Sequence, residues 1–244
     1  LQLWDKAAKG YLEYFEKFPK HEMAGHAHHG LGLCHFNLKD YTAAARELKA
    51  AANSRGRSQP NPVEVNLLLG QALMKKEPAD FGDAEEAFEA SLKSLGFAKS
   101  GIISRSWDEQ NVKKWLGKTK DAARKRVAAD VFLGLLEATY FKGDWKSVLK
   151  KAAAFEVLIQ KTSAEQRVRV FTGEAFDRTG NFKAAADAYA FGAKLEGNDA
   201  SSALFSLGMV RLNQLKDYMG AAKDFHSFTI KYRNDAKQPD AAFN

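Results

Sequence analysis

Cysteine is almost missing from this 244-residue chain: Cys34 stands alone, which excludes an internal disulfide. Proline is scarce as well. Of the five prolines, Pro19, Pro60, Pro62 and Pro78 fall at or beside expected loops and helix starts, so long helical stretches run uninterrupted. No stretch approaches 18 consecutive apolar residues, so no membrane-spanning helix is expected, and no secretory leader stands within these residues. Strict alternation of β-branched residues is nearly absent, whereas alanine, the best helix former, comes in runs at 43–45 and 184–186. These absences and that abundance together predict an all-α chain.

Catalytic signatures are missing too. There is no GxSxG, P-loop, GxGxxG or HExxH pattern, and acidic pairs such as Glu85-Glu86 read as a solvated helix face. The expectation is a binding protein with no cofactor, not an enzyme. Basic charge is abundant, but in one place. Residues 97–126 hold nine Lys and Arg against three acids, a net +6 of the chain's +7.

What the sequence does contain is a repeat. Leu31-Gly32, Leu69-Gly70, Thr172-Gly173 and Leu207-Gly208 occur in similar helical contexts. Within eleven residues of each glycine comes an aromatic: Tyr41, Phe81, Phe182 or Tyr218. Three residues on stand Ala44, Ala84, Ala185 and Ala221, and four beyond those Leu48, Phe88, Tyr189 and Phe225. A looser unit runs Gly143-Asp144-Trp145, Val148, Ala152. The aromatics lie 40, 64, 37 and 36 residues apart, the long interval containing one insertion. Gly and Ala at a helix crossing permit close approach. Gly143 and Gly180 suit the left-handed residue that ends a helix, and Asp144 and Asn181 suit the N-cap of the next.

This pattern resembles the tetratricopeptide repeat (TPR) family, whose period is about 34 residues. The resemblance implies an α-solenoid of antiparallel helix pairs forming a right-handed superhelix, with N-terminal units over 1–96, an insertion over 97–126 and C-terminal units over 127–244. Residues 3–19 read as only the second helix of a unit, and 240–243 as a helix just opening, so a fragment of a longer array is expected, with unfinished ends open to a second copy. A narrower resemblance rests on Ala7-x3-Tyr11-x2-Tyr14-Phe15-x2-Phe18-Pro19 and on Asp217-Tyr218-x2-Ala221-x3-Phe225-x6-Tyr232. It looks like the bacterial cell-envelope TPR class that includes the Tol-Pal coordinator and the lipoprotein of the outer-membrane barrel assembly machine. Arg233 departs from the proline of that class. The resemblance implies a bacterial periplasmic or envelope location, with the cytoplasm as alternative.

In such a solenoid the first helix of each unit lines a groove. The repeat alignment places there His26, His29, Leu33, Phe36 and Asn37, then Leu67, Gln71, Met74 and Lys75, then Leu133, Glu137, Tyr140 and Phe141, then Arg167, Val170, Glu174, Asp177 and Arg178, and last Phe205, Met209, Leu212 and Asn213. Met and aromatics adapt to a peptide's side chains while Arg and Asn hold its polar groups. Leu33, Gln71, Glu137, Glu174 and Met209 do not reproduce the Lys/Asn carboxylate clamp of chaperone-binding TPRs, so a chaperone tail is not the expected partner. Five of the six histidines lie at 21–35, with His26/His29 and His28/His35 spaced for shared helix faces, but no Asp or Cys completes a metal set and none is predicted.

In the insertion, Trp107 and Trp115 are eight apart and share one face of a short helix, with Asp108 and Glu109 at its start and Lys113 and Lys114 near its end. The favoured reading docks the tryptophans and leaves the basic patch (Lys113, Lys114, Lys118, Lys120, Arg124, Lys125, Arg126) in water. The alternative is a nucleic-acid or anionic-surface contact. A third reading is a helical accessory domain of a larger enzyme. The first expectation remains a protein or peptide partner.

Overall fold

The computed structural model describes residues 2–18, 21–55, 58–97, 107–237 and 240–241. Pro19, residues 98–106 of the expected insertion and residues 242–243 of the expected last helix lie outside the described residues. Among the described residues there is no strand. In chain order the helices are α1 (Gln2–Lys17), α2 (Ala24–Asn37), α3 (Tyr41–Asn53), α4 (Pro62–Lys75), α5 (Phe81–Ser94), α6 (Glu109–Lys118), α7 (Ala122–Phe141), α8 (Trp145–Ile159), α9 (Glu165–Arg178), α10 (Phe182–Lys194), α11 (Ala200–Val210) and α12 (Tyr218–Lys231). A π-helical turn, Arg211–Leu215, follows α11.

The chain divides into two compact units. Unit 1 is Leu1–Lys99 with Asp121–Lys142, and unit 2 is Ser100–Lys120 with Gly143–Asn244. Residues 97–126 are therefore shared: α6 belongs to unit 2, and 121–126 open α7 in unit 1.

Four helix pairs, α2/α3 and α4/α5 in unit 1 and α9/α10 and α11/α12 in unit 2, are built by one device. The second helix starts on an Asx residue followed by an aromatic. Asp40, Asp80, Asn181 and Asp217 accept the backbone N–H of Ala43, Asp83, Ala184 and Gly220, satisfying an amide that the helix itself leaves unpaired. Asp144 does the same for Ser147 at the start of α8. Before every one of these caps except Asp80, the preceding residue turns left-handed. Gly143 (φ +76°) and Gly180 (φ +80°) do so as the sequence predicts, but Lys39 (φ 64°) and Lys216 (φ 56°) adopt the same conformation with a side chain, at a steric cost of about 1–2 kcal/mol each.

The crossing is set by glycine. A Cβ added to Gly32, Gly70, Gly173 or Gly208 of the first helix would lie 2.6–2.7 Å from Leu48, Phe88, Tyr189 or Phe225 of the second. All four of those side chains are buried. Phe88 is gripped from two directions, since the ring also lies 2.5 Å from the Cβ position of Gly134 on α7. The pairs are antiparallel, as Ser91 near the end of α5 donates its hydroxyl to the Val63 carbonyl at the start of α4 (2.9 Å). In unit 1, α1 packs on α2, α3 on α4 and α5 on α7. In unit 2, α8 packs on α6 and α9, and α10 on α11.

Candidate binding clefts

The first-helix residues of unit 1 line a cleft of about 490 Å³. Leu67, Gln71, Met74 and Lys75 come from α4, at spacings of three and four that put them on one helix face. Asp130, Leu133 and Glu137 come from α7 in the same way, and Phe36 closes the α2 side. Phe36, Leu67, Met74 and Leu133 supply an apolar floor. The Lys75 ammonium lies 5.0 Å over the Phe36 ring and 5.5 Å over Tyr41, an attraction to the ring faces that holds the cation at the edge. Asp130 is exposed at the rim, yet the walls of the concavity withdraw enough water to raise its carboxyl, an effect that the Arg126 charge partly offsets.

Unit 2 carries a smaller cleft of about 300 Å³ in the equivalent register. Glu174, Asp177 and Arg178 come from α9, Tyr189 from α10, Ser206, Met209 and Val210 from α11. Asn213 and Gln214 come from the π-helical turn, whose wider winding carries the end of α11 into the cleft wall. Arg178 donates to Glu174 (3.2 Å), and its guanidinium lies 5.7 Å from the Trp145 ring. The Asp177 carboxyl is raised by burial, lowered by Arg178 and raised again by Glu174; its Oδ1 is shielded from water and has no hydrogen-bond partner.

The structure thus brings twelve of the predicted groove residues into two clefts: Phe36, Leu67, Gln71, Met74, Lys75, Leu133 and Glu137 in one, Glu174, Asp177, Arg178, Met209 and Asn213 in the other. The others stand elsewhere: Arg167 pairs with Asp199 (3.1 Å), and Val170, Phe205 and Leu212 pack on the unit 2 core. Asn37 turns its amide back to the Leu33 carbonyl (2.8 Å). Phe141 is exposed and stacked on Phe81 (5.3 Å), with Tyr140 edge-on to it. His29 faces Glu64 at 3.8 Å, and His26 Nε2 lies 2.9 Å from Ser58 Oγ. His28 stacks on Phe15 (4.4 Å between centroids) and lies 2.8 Å from buried Glu47, while His35 is 3.8 Å from Asp40. Each imidazole faces a different group, and among the described residues no set of three His, Cys, Asp or Glu could hold a metal ion. Burial raises the Glu47 carboxyl, but hydrogen bonds from His28 and Arg46 outweigh it and leave the group below its usual value.

In α6, Val112 and Trp115 are buried and Trp107 meets Phe155 of α8 edge-on at 5.5 Å. Lys113 pairs with Glu109 one turn back (2.7 Å). In unit 1, Arg124 donates to the Leu95 carbonyl at the end of α5 (2.9 Å). The basic residues are thus divided between the units: Lys113, Lys114, Lys118 and Lys120 in unit 2, Arg124, Lys125 and Arg126 in unit 1.

One cleft has no counterpart in the sequence reading. In unit 2, α8, α9 and α10 surround about 520 Å³ lined by Ala152, Ala153, Ala184, Ala188 and the half-exposed Phe191. Arg169 lies 4.6 Å over the Phe191 ring and bonds Glu156 (2.8 Å). The only sequence signal for it was the pair of alanine clusters, which read equally well as helix propensity.

Among the described residues no helix is long and apolar enough to cross a membrane. No protein-family model matches the chain, and no curated protein matches it. Solved structures do. The crystal structure of MamA is 18% identical over 85% of this chain and 97% of its own, with a TM-score of 0.59. A chain of the APC/C hetero-tetramer Cut9-Hcn1 is 15% identical over 100% of this chain and 40% of its own, with a TM-score of 0.56. Acl4, an assembly chaperone of RpL4, is 14% identical over 98% and 90%, with a TM-score of 0.57. These are TPR-repeat structures, and the chain has the TPR-type α-solenoid fold.

Proposed function

We propose that this chain is a protein-interaction scaffold, not an enzyme, and that it holds a peptide or protein segment against the first-helix faces of its repeats. The observation that carries the proposal is the unit 1 cleft. Its floor of Phe36, Leu67, Met74 and Leu133 is open to solvent between Gln71, Lys75, Asp130 and Glu137. An apolar floor with a few polar groups at its edge is the arrangement that buries an anchoring side chain and fixes its orientation. The likeness in fold to a Cut9-Hcn1 assembly and to a chaperone of RpL4, both protein-binding by name, supports the same role. The finer reading places the scaffold in the bacterial envelope, on the strength of the Ala7, Tyr11, Tyr14 phrasing of α1 and the Asp217-Tyr218 phrasing of α12.

The test is a peptide array probed with the full chain. Bound sequences should share an apolar anchor, and Met74→Arg or Leu133→Arg should weaken them more than tenfold with the helical circular dichroism unchanged. Binding indifferent to both substitutions would sink the proposal.

A further inference from the structure

The unit 2 cleft carries a charge imbalance that narrows what it can hold. Glu174, Asp177 and Arg178 bring two carboxylates and one guanidinium to its α9 wall. Arg178 is committed: it donates to Glu174 (3.2 Å) and lies 5.7 Å from the Trp145 ring. Asp177 is left over. Its Oδ1 is shielded from water and has no hydrogen-bond partner among the described residues. Burial dominates the state of this carboxyl and pushes it up, and the neighbouring Arg178 charge offsets only part of that effect. A carboxylate oxygen withdrawn from water and left unpaired is unfavourable, and a cation that donates to it relieves the penalty. The acids of unit 1 are placed differently. Asp130 is exposed at the edge of an apolar floor, so water still reaches that carboxylate.

The rest of the lining says which cation fits. Ser206 of α11 adds a hydroxyl, and Asn213 and Gln214 of the π-helical turn add two side-chain amides. Acceptors therefore come from three elements around a cleft of about 300 Å³. An ammonium presents three donors from a single point, whereas a guanidinium presents five over a planar fork. The fork reaches acceptors on different walls at once. Tyr189, Met209 and Val210 supply the apolar wall along which the methylene stem of an arginine lies.

We propose that the segment held by unit 2 places an arginine side chain in this cleft, its guanidinium donating to Asp177 Oδ1 and its stem against Tyr189 and Met209. The inference rests on the groove reading and names what the polar cleft selects. It runs against the chain's overall charge. At +7 the molecule as a whole attracts acidic partners, so a preference for arginine here belongs to the cleft and not to the net charge.

The probe is N-acetyl-arginine methylamide, titrated into the isotope-labelled full chain at constant ionic strength and followed by backbone amide shifts. The amides of Asp177, Ser206, Asn213 and Gln214 should move together and saturate. N-acetyl-citrulline methylamide, which has the same shape without the charge, should bind at least about tenfold more weakly, the worth of a hydrogen bond to a charged group. The arginine probe should lose as much on Asp177→Asn, with the helical circular dichroism unchanged. Arg178→Gln, at an exposed position, removes the resident cation and should tighten binding about two- to threefold. Absence of saturable shifts at these amides, equal binding of citrulline, or a response untouched by Asp177→Asn overturns the inference. Binding of the glutamate counterpart at the same amides does so too. If array peptides keep their dependence on Met74 and Leu133 while the arginine probe fails, this inference alone falls. Array binding indifferent to both substitutions sinks the groove reading itself.

Discussion

Gln71, Met74 and Lys75 of α4 hold the same register as Glu174, Asp177 and Arg178 of α9, counted from Gly70 and Gly173. Beneath them the two pairs are alike: a first-helix glycine on a buried ring, Phe88 in one and Tyr189 in the other. Above, they diverge. Unit 1 shows a carbon floor with Lys75 drawn over Phe36 and Tyr41 and with Asp130 and Glu137 on α7 at its edge. Unit 2 shows two carboxylates, an Arg178 already engaged by Glu174, and the Asn213 and Gln214 amides. The difference teaches that the helix crossing constrains the buried face and leaves the open face free, so one scaffold offers an apolar anchor site and a polar one.

The strongest way to break the comparison is to remove what the pairs share. Phe88→Ala and Tyr189→Ala should each cost roughly 3–5 kcal/mol, because each leaves a void between close-packed helices. Thermal melts monitored by circular dichroism should show comparable losses for the two. A large disparity would mean that the pairs are not equivalent. Converting one surface into the other is gentler. Met74→Asp gives unit 1 the residue found at the same register in unit 2 and should weaken binding of an apolar-anchored peptide about tenfold, or about 1.4 kcal/mol, with the melting temperature little changed.

Protonation sharpens the comparison further. Asp177 has a raised carboxyl in the folded chain, so its burial cost is fully present at neutral pH and fades as pH falls through the folded value toward the unfolded one. Glu47 in unit 1 has a lowered carboxyl, so its contribution is present above the unfolded value and is lost as pH falls through the folded one. Asp177→Asn should therefore raise stability at pH 7 and Glu47→Gln should lower it, both measured by denaturant titration. The opposite signs are the prediction. The smallest effect belongs to the exposed Lys113–Glu109 pair: Lys113→Ala should cost about 0.3–0.5 kcal/mol and leave both clefts unaltered.

The helix pairs were legible because their signals are local and periodic. A Leu-Gly or Thr-Gly dipeptide, an Asx-aromatic start and an alanine three residues on are each dictated by sterics within one hairpin. Lys39 and Lys216 were not legible as left-handed residues, since the sequence offers glycine as the marker and these positions carry side chains. Nor was the π-helical turn that brings Asn213 and Gln214 into the wall of the unit 2 cleft. The pocket beside Arg169 was hidden for a different reason. Ala152, Ala153, Ala184 and Ala188 signal helix in the sequence, and only packing shows that their small side chains leave room. The division of 97–126 between the units depends on long-range contacts, which composition does not encode.

The most direct test of the scaffold reading is hydrogen–deuterium exchange on the full chain with and without a peptide selected from the array. The account predicts that bound peptide slows exchange in α4 and α7, or in α9 and α11, around the open clefts. Slowing confined to α8 and α10, beside Arg169 and Phe191, would contradict it.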